Sequence, residues 1–406
     1  MSTHPNSPRI GAAPLLASAM MLGLTACMHP GPKRLGELVI VGGGLQTENS
    51  EVMGEFIHDV GAQTVVLPTA SGVPERSGPA TVADFELYAV PGQTVSLVEI
   101  HADTPERAFE AAYVQPLEQA SAAWFTGGVQ SRILAVFRPE PADSPAYKAV
   151  CEILRRGGTV GGSSAGAAMM CDPMIAWGNS RDALLVGVRG DVEDRALAIE
   201  KGMGFFPFGM VDQHFLRRGR IGRLVVALQY TDQKLGFGIA ENAALAVDLA
   251  TQRGRALGDP AVIVLDASDI QQDGLNRRGL RVSLMSSGDE VDLEHGTVHA
   301  DPEKRLVETL ELEAAGEHGT LGPWDRYALS ILMEGLARDP LIAQRATGDA
   351  FELVLRADER TRFAARDEQL AGFTVIDAIL DIEALEGAQN AAEELRGELA
   401  SGDKEN

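Results

Sequence analysis

The run Gly162-Ser163-Ser164-Ala165-Gly166 carries the strongest chemical signal in the chain. It reads Gly-x-Ser-x-Gly, with a short apolar stretch before it and small residues after it. Between a strand and a helix, that spacing makes a sharp turn that pushes the Ser164 hydroxyl clear of its neighbours. The glycines permit a strained backbone and close packing of strand on helix. The start of the following helix would offer N–H donors and a favourable dipole to developing negative charge. The chemistry on offer is nucleophilic attack on an acyl carbon. Two readings compete with it. Gly161 to Ala167 would also suit a helix start that binds phosphate, although the Lys of a P-loop is missing and the spacing is not Gly-x-Gly-x-x-Gly. The small residues would equally let a helix pack on a sheet and do nothing more.

A serine nucleophile needs a base within hydrogen-bond reach. Of the eight His, His4 and His29 fall near the start of the chain, and His295, His299 and His318 in or near a charged stretch. His58 lies in an early helical segment and His101 just after a strand. His214 stands apart in Asp212-Gln213-His214-Phe215, followed by Arg218, Arg220 and Arg223. So many polar residues between Phe206 and Leu224 are unusual for a core. The competing reading is a surface His that caps the next helix. The base in turn needs a carboxylate to set its tautomer and stabilise the imidazolium. Glu241 follows the apolar run Gly236 to Ala240 and is the first candidate; Asp172 and Asp182 are rivals close to Ser164. The order Ser, His, Glu differs from the Ser, acid, His order of α/β-hydrolases. The turn at Ser164 therefore does not assign that fold.

The surrounding pattern shows what must position these groups. Strand-like runs at Leu38–Val41, Thr64–Leu67, Thr94–Val98, Ala122–Phe125 and Thr159–Gly161 alternate with helical segments at Val52–Val60, Val82–Val90, Pro105–Ala120 and Ala146–Arg156. Such alternation predicts a parallel sheet with helices on both faces. Ligands in such sheets bind outside the carboxyl ends of the strands, which places the loops after Phe125 and Gly161 on one rim. Leu216 to Leu228 reads as an Arg-rich helix with Arg220 and Arg223 on one face. Short strands follow at Gly236–Ala240, Leu245–Leu249, Ala261–Leu265 and Leu280–Leu284. Beyond the charged stretch from Glu303 to Glu317, a helix at Trp324–Ala337, a strand at Phe351–Leu355 and helices near 375–398 are expected.

Three runs together resemble the cyanophycinases and their serine peptidase relatives, including the aspartyl dipeptidases. They are Phe125-Thr126-Gly127-Gly128-Val129-Gln130, Gly162-Ser163-Ser164-Ala165-Gly166-Ala167, and the long Asp212-to-Leu224 segment. Gly238-Ile239-Ala240-Glu241-Asn242-Ala243 looks like the later motif that supplies the acid. The resemblance spans about residues 35 to 295. It implies a flavodoxin-like three-layer αβα sandwich with a mostly parallel sheet, as in class I glutamine amidotransferases. It implies Ser164 as nucleophile, His214 as base, Glu241 as acid, and the N–H groups of Gly128 and Ala165 as oxyanion donors. Each such donor is worth roughly 3–4 kcal/mol of transition-state stabilisation.

The implied substrate is cyanophycin, a poly-aspartate backbone with arginine on each side-chain carboxyl, cut to β-Asp-Arg. A site for it needs both signs of charge. Arg218, Arg220 and Arg223 suit its carboxylates, Asp212 suits a guanidinium, and Gln130 and Gln213 suit its backbone. Surface ion pairing with an acidic chain is the competing role for the Arg. The chain departs from the family at Val129, usually Asp, and at Ala240, commonly acidic. Those departures keep open an exopeptidase for other Asp or isoaspartyl peptides, and an envelope-binding protein without activity. No metal or organic cofactor is implied.

The whole chain sets the remaining bounds. It has 406 residues, 45% hydrophobic and 23% charged, with net charge -23. Such an acidic chain argues against sequence-independent nucleic-acid binding. Residues 1–27 read as a signal peptide: Arg9, an apolar run from Ile10 to Leu24, then Leu24-Thr25-Ala26-Cys27. That ending resembles the lipobox of bacterial lipoproteins. Cys27 would then carry a lipid anchor and place the rest in the cell envelope, facing periplasm or exterior. Residues 28–36 read as a linker, 37–299 as the peptidase domain, and 300–406 as an appended C-terminal α/β module with a disordered end at Ser401–Asn406. Cys151 and Cys171 are left as a bridge or two thiols. The oligomeric state stays open, a homodimer among the candidates.

Overall fold

The computed structural model describes residues 35–58, 63–189, 196–258, 260, 262–310, 320–366 and 372–402. The expected signal peptide, Cys27 and nearly all of the linker lie outside the described residues.

Between Glu37 and Ser163 the described strands are separated by helices. In chain order they are β1 (Glu37–Val41), α1 (Ser50–His58), β2 (Gln63–Leu67), α2 (Pro74–Glu86) and β3 (Thr94–Leu97). Next come α3 (Ala111–Gln119), β4 (Ala122–Phe125), α4 (Gln130–Phe137), α5 (Pro145–Arg155) and β5 (Thr159–Ser163). The five strands run parallel in the order β1-β5-β4-β2-β3. Both faces are covered, which is why β1, β2 and β4 read as unbroken apolar runs. Leu38, Ile40, Val65 and Leu67 pack with α3, α4 and α5 on one face. Val39, Val41, Val66 and Trp124 pack with Phe56 of α1 and Phe85 of α2 on the other. This is the expected αβα layering. The helix expected at Pro105–Ala120 is broken: Pro105–Phe109 is a 3-10 turn, and α3 begins after it.

The chain continues with α6 (Ala165–Ala168), β6 (Met174–Trp177), α7 (Ser180–Val186), β7 (Ala198–Glu200) and β8 (Met210–Asp212). Then come α8 (Ile221–Thr231), β9 (Leu235–Ile239), β10 (Ala244–Asp248), β11 (Arg253–Leu257) and β12 (Val262–Asp266). β13 (Gln271–Asp273), β14 (Asn276–Met285), β15 (Glu290–Asp292) and β16 (Thr297–His299) follow. β10 pairs antiparallel with β1, and β11, β15 and β16 extend that sheet outward. The last part holds β17 (Arg305–Val307), α9 (Ala328–Arg338), β18 (Gln344–Thr347), β19 (Phe351–Arg356), β20 (Arg362–Ala365), β21 (Thr374–Ala384) and α10 (Ala388–Gly402). A second sheet runs β17-β20-β21-β14-β12-β9-β8 and is antiparallel except for β8 beside β9.

Two expectations are corrected here. Thr374–Ala384 is a strand, not a helix; its β-branched Thr374, Val375 and Ile376 suit a pleated, buried surface. And the boundary expected at residue 300 falls inside the second sheet, where β21 pairs along β14. The fully buried Lys304 seals the join. Its Nζ donates to Asp289 Oδ1 and Ser286 Oγ, both at 2.6 Å, and to Thr374 Oγ1 at 3.0 Å. Composition shows a charged stretch near 300, but it does not report pairing between strands about 100 residues apart.

Candidate active site

Ser164 sits where β5 leaves the sheet between β1 and β4, with Val41 beside Ser163 and Phe125 beside Gly162. The backbone turns there with φ 56° and ψ −107°. A non-glycine residue at positive φ is strained and persists only when its surroundings hold it. Here the Ser164 N–H donates to Val41 O at 3.0 Å. A Cβ on Gly162 would stand 2.5 Å from Gly166 O and one on Gly166 2.3 Å from Phe125 O, so neither position admits a side chain. The α6 that follows is a single four-residue turn. Its dipole is therefore small, and its useful groups are its first N–H donors, which have no acceptor within the helix.

The second sheet delivers the other two groups. β8 and β9 run parallel with Asp212 opposite Gly238, so both strands end at the same edge. Two residues past those ends stand His214 and Glu241. His214 adopts φ 47° and donates its N–H to Gly42 O at 2.6 Å. Gly43 lies against the imidazole: a Cβ there, at φ +100°, would be 2.3 Å from His214 Cε1. The Asn242 N–H donates to Gly43 O at 2.8 Å. Gly42-Gly43-Gly44, which reads in the sequence only as a strand end, is thus the support for base and acid.

Ser164 Oγ lies 2.9 Å from His214 Nε2, and His214 Nδ1 lies 2.5 Å from Glu241 Oε1. An ionised carboxylate only accepts, so the proton belongs on Nδ1 and Nε2 is free to accept from the Ser164 hydroxyl. Burial would raise the Glu241 pKa. Hydrogen bonds from His214 and Arg217 outweigh it and hold the carboxyl below the ordinary range. Burial lowers the His214 pKa; the Glu241 hydrogen bond opposes this, but the charges of Arg218 and Arg220 add to it, and the net shift is downward. Arg217, which the sequence does not single out, donates to Glu241 Oε2 at 2.5 Å. The rival acids are engaged elsewhere: Asp172 pairs with Arg138 at 2.8 Å, and Asp182 bonds to Asn179 at the start of α7.

Gly127 comes close enough that a Cβ there would lie 3.4 Å from Ser164 Cβ. Gly128 follows it at φ 145°, backed against Ala70 O. The Gly127-Gly128 loop and Ala165 at the start of α6 therefore lie close about the nucleophile.

The Arg-rich run divides. The helix expected from Leu216 begins only at Ile221, and residues 215–220 form a turn in which the Arg218 N–H donates to His214 O and the Arg220 N–H to Phe215 O. Arg220 is the N-cap of α8, and its guanidinium and that of Arg223 both approach Asp212, so the two do lie on one side of the helix start. Asp212, expected to hold a substrate guanidinium, holds that of Arg223: Nε donates to Oδ2 at 2.7 Å, and a second guanidinium nitrogen donates to Oδ1. Both side chains are buried, so this pair shapes the site from beneath. Gln130 is also buried and donates to the carbonyls of Ile175 and Ala176 at 3.0 and 2.6 Å, tying α4 to β6. Arg220 donates to Gln213 O at 2.6 Å and stands 3.5 Å from Asp212. Burial, and then the charge of Arg223, pushes its pKa down to about 9, which still leaves it a cation at neutral pH. The buried Gln213 Oε1 has no hydrogen-bond partner among the described residues, and Arg218 is exposed beside them. Of the six expected substrate contacts, Gln213, Arg218 and Arg220 keep groups to offer. Cys171 is a free thiol, so no bridge joins it to Cys151; burial pushes its pKa up to about 12.

Fold and site define the class: an α/β protein with a Ser–His–Glu relay on the rim between two sheets. Several curated proteins similar to it carry the name cyanophycinase. Those of Nostoc sp. and Trichormus variabilis are each 29% identical over 283 residues, covering 66% of this chain and 89% of theirs. That of Geminocystis herdmanii is 29% identical over 270 residues, covering 63% of this chain and 93% of its own. The chain is a homologue of these proteins over about two thirds of its length. A crystal structure of a peptidase from an acI-B1 Actinobacterium aligns with 63% of this chain and 96% of its own, at 17% identity and a TM-score of 0.44. No family model matches the chain.

Proposed function

We propose that this chain is a serine exopeptidase that hydrolyses cyanophycin to β-Asp-Arg dipeptides. The observation that carries the reading is the continuous hydrogen-bonded line from Ser164 Oγ through His214 to Glu241, in a homologue of proteins named cyanophycinase. Ser164 Oγ attacks the amide carbon while its proton passes to His214 Nε2. The N–H groups of Gly128 and Ala165 receive the oxyanion. His214 then protonates the leaving amine, and an ester to Ser164 remains. Water attacks the ester with His214 again as base, and the acid product leaves. Arg218 and Arg220 take the free carboxylates of the polymer, in a charge-rich pocket that forks of this kind suit.

Val129 favours a second reading, an exopeptidase for other Asp or isoaspartyl peptides, since the family's usual acid is absent there. Incubation with cyanophycin and mass analysis of the products separates the readings. Release of β-Asp-Arg by the protein, and none by Ser164→Ala, is expected. Cleavage of short Asp peptides alone would favour the second reading. Binding of polymer without cleavage would make the chain a silent envelope protein. We also propose that Cys27 is lipidated and holds the protein in the cell envelope. Cys27→Ser should then release it into the soluble fraction, and unchanged membrane fractionation would refute the anchor.

A further inference from the structure

The cleft that holds Ser164 and His214 extends away from the Arg-rich turn. It measures about 280 Å³, and its far wall is built from Gln46 and Thr47, after β1, and from Thr81 and Asp84 of α2. Thr126, from the end of β4, lines it too. Asp84 is half-buried, and one oxygen, Oδ1, accepts from Thr47 Oγ1 at 3.0 Å. Its other oxygen has no donor, and its carboxylate no cation, among the described residues. Thr47 is itself fixed, because its carbonyl accepts from Tyr88 Oη at 2.5 Å. Next to Asp84, Phe85 also lines the cleft and is held in an aromatic cluster, 4.9 Å from both Phe56 and Trp124 between ring centres. That packing sets the rotation of α2 and leaves Asp84 on the cleft. Thr126 Oγ1 is buried in the same cleft without a hydrogen-bond partner.

The sequence context adds a second argument. Asp84 lies in the last turn of α2, which carries no basic residue. An acid there opposes the helix dipole and weakens the helix. A local choice that works against its own element points to a role outside that element. We propose that Asp84 is a specificity-determining residue that receives a cationic side chain, a guanidinium or an ammonium, from the substrate residue next to the scissile bond. Thr126 Oγ1 gives that group, or the adjoining peptide, a second hydrogen-bonding partner. The site would then be two-signed, with Asp84 in the cleft for a cation and Arg218 and Arg220, on the turn that follows His214, for carboxylates. This inference rests on the peptidase reading.

The test uses two matched substrates that differ only in an arginine or a citrulline beside the scissile bond. Citrulline keeps the shape and removes the charge. A charged hydrogen bond of this kind predicts a preference for arginine of about 10–100-fold in kcat/KM, expressed mainly in KM. In Asp84→Asn the preference should collapse toward one, and Asp84→Glu should restore part of it. A second measurement needs only the unaltered protein: N-acetyl-arginine amide should inhibit competitively, and its citrulline counterpart should inhibit at least tenfold more weakly. Equal inhibition by the two amides overturns the proposal even if Asp84→Asn fails to fold. Cleavage of both substrates, with the arginine preference unchanged in Asp84→Asn, overturns the subsite and leaves the peptidase reading standing. Cleavage of neither by the unaltered protein overturns both.

Discussion

His214 decides the pH behaviour of this site. A general base works in its neutral form. Burial, with Arg218 and Arg220 nearby, disfavours the imidazolium and lowers the pKa below the ordinary His value. The acidic limb of kcat/KM is therefore expected at lower pH than for an unperturbed imidazole, so activity persists into mildly acidic solution. Arg218→Gln removes one of the depressing charges, so the limb should move to higher pH while KM rises. A kcat/KM profile against pH for both proteins checks this. A limb that stays in place would mean that Arg218 does not reach the base. That Ser164, His214 and Glu241 come within hydrogen-bond reach of one another was legible in the sequence, because their residue types and spacing are chemically distinctive. Arg217 was not, since one Arg among several carries no mark of which carboxylate it meets. Asp212, Arg223 and Gln130 were misplaced for the converse reason: a polar side chain reads the same whether it faces a substrate or a buried partner.

At the scale of elements, the site depends on three turns that leave strand ends and on the glycines that let them meet. Gly43→Ala would place a methyl group 2.3 Å from His214 Cε1, at a φ of +100° that side chains rarely adopt. Displacing the imidazole by about 1 Å is expected to cost roughly 10²-fold in kcat. Circular dichroism should meanwhile show the fold retained, since Gly43 lies in a loop past the end of β1. Full activity in this variant would mean that the glycine run does not position the base. The Arg-rich turn has its own support. Tyr327 donates its N–H to Leu216 O at 2.8 Å, and a Cβ on Gly219 would meet Trp324 O at 2.5 Å. The short parallel strands were legible because burial on both faces writes them as apolar runs. The 215–220 turn was not, because its apolar residues mimic the first turn of α8.

At the scale of the molecule, residues beyond 300 complete the sheet that carries His214 and Glu241. Lys304 and Asp289 are fully buried together. Removing one partner of such a pair leaves an uncompensated charge and costs about 3–5 kcal/mol. Lys304→Ala should lower stability by about that much in a denaturant titration, and a loss under 1 kcal/mol would show that the pair is not what joins the two parts of the sheet. The acidic chain, at net charge -23, also frames a local excess of cations: among the described residues Arg217 pairs with Glu241, and Arg220 and Arg223 share Asp212, while Arg218 adds a further charge. On the proposed function, that turn would attract a carboxylate-bearing substrate against the sign of the whole protein.

The sequence by itself determined the α/β class, the parallel strands, the nucleophile turn and the chemical types of base and acid. Each of these is written locally, in apolar runs and in residues whose reactivity does not depend on distant neighbours. Only the tertiary structure decided which polar side chains stay available. Asp212 closes on Arg223 and Gln130 on the carbonyls of β6, whereas among the described residues Gln213 Oε1 and one oxygen of Asp84 remain without a partner. It also decided that β17 to β21 belong to the same sheet as β8 and β9, past whose ends stand His214 and Glu241. Those outcomes depend on contacts between segments far apart in the chain, and neither spacing nor composition records them.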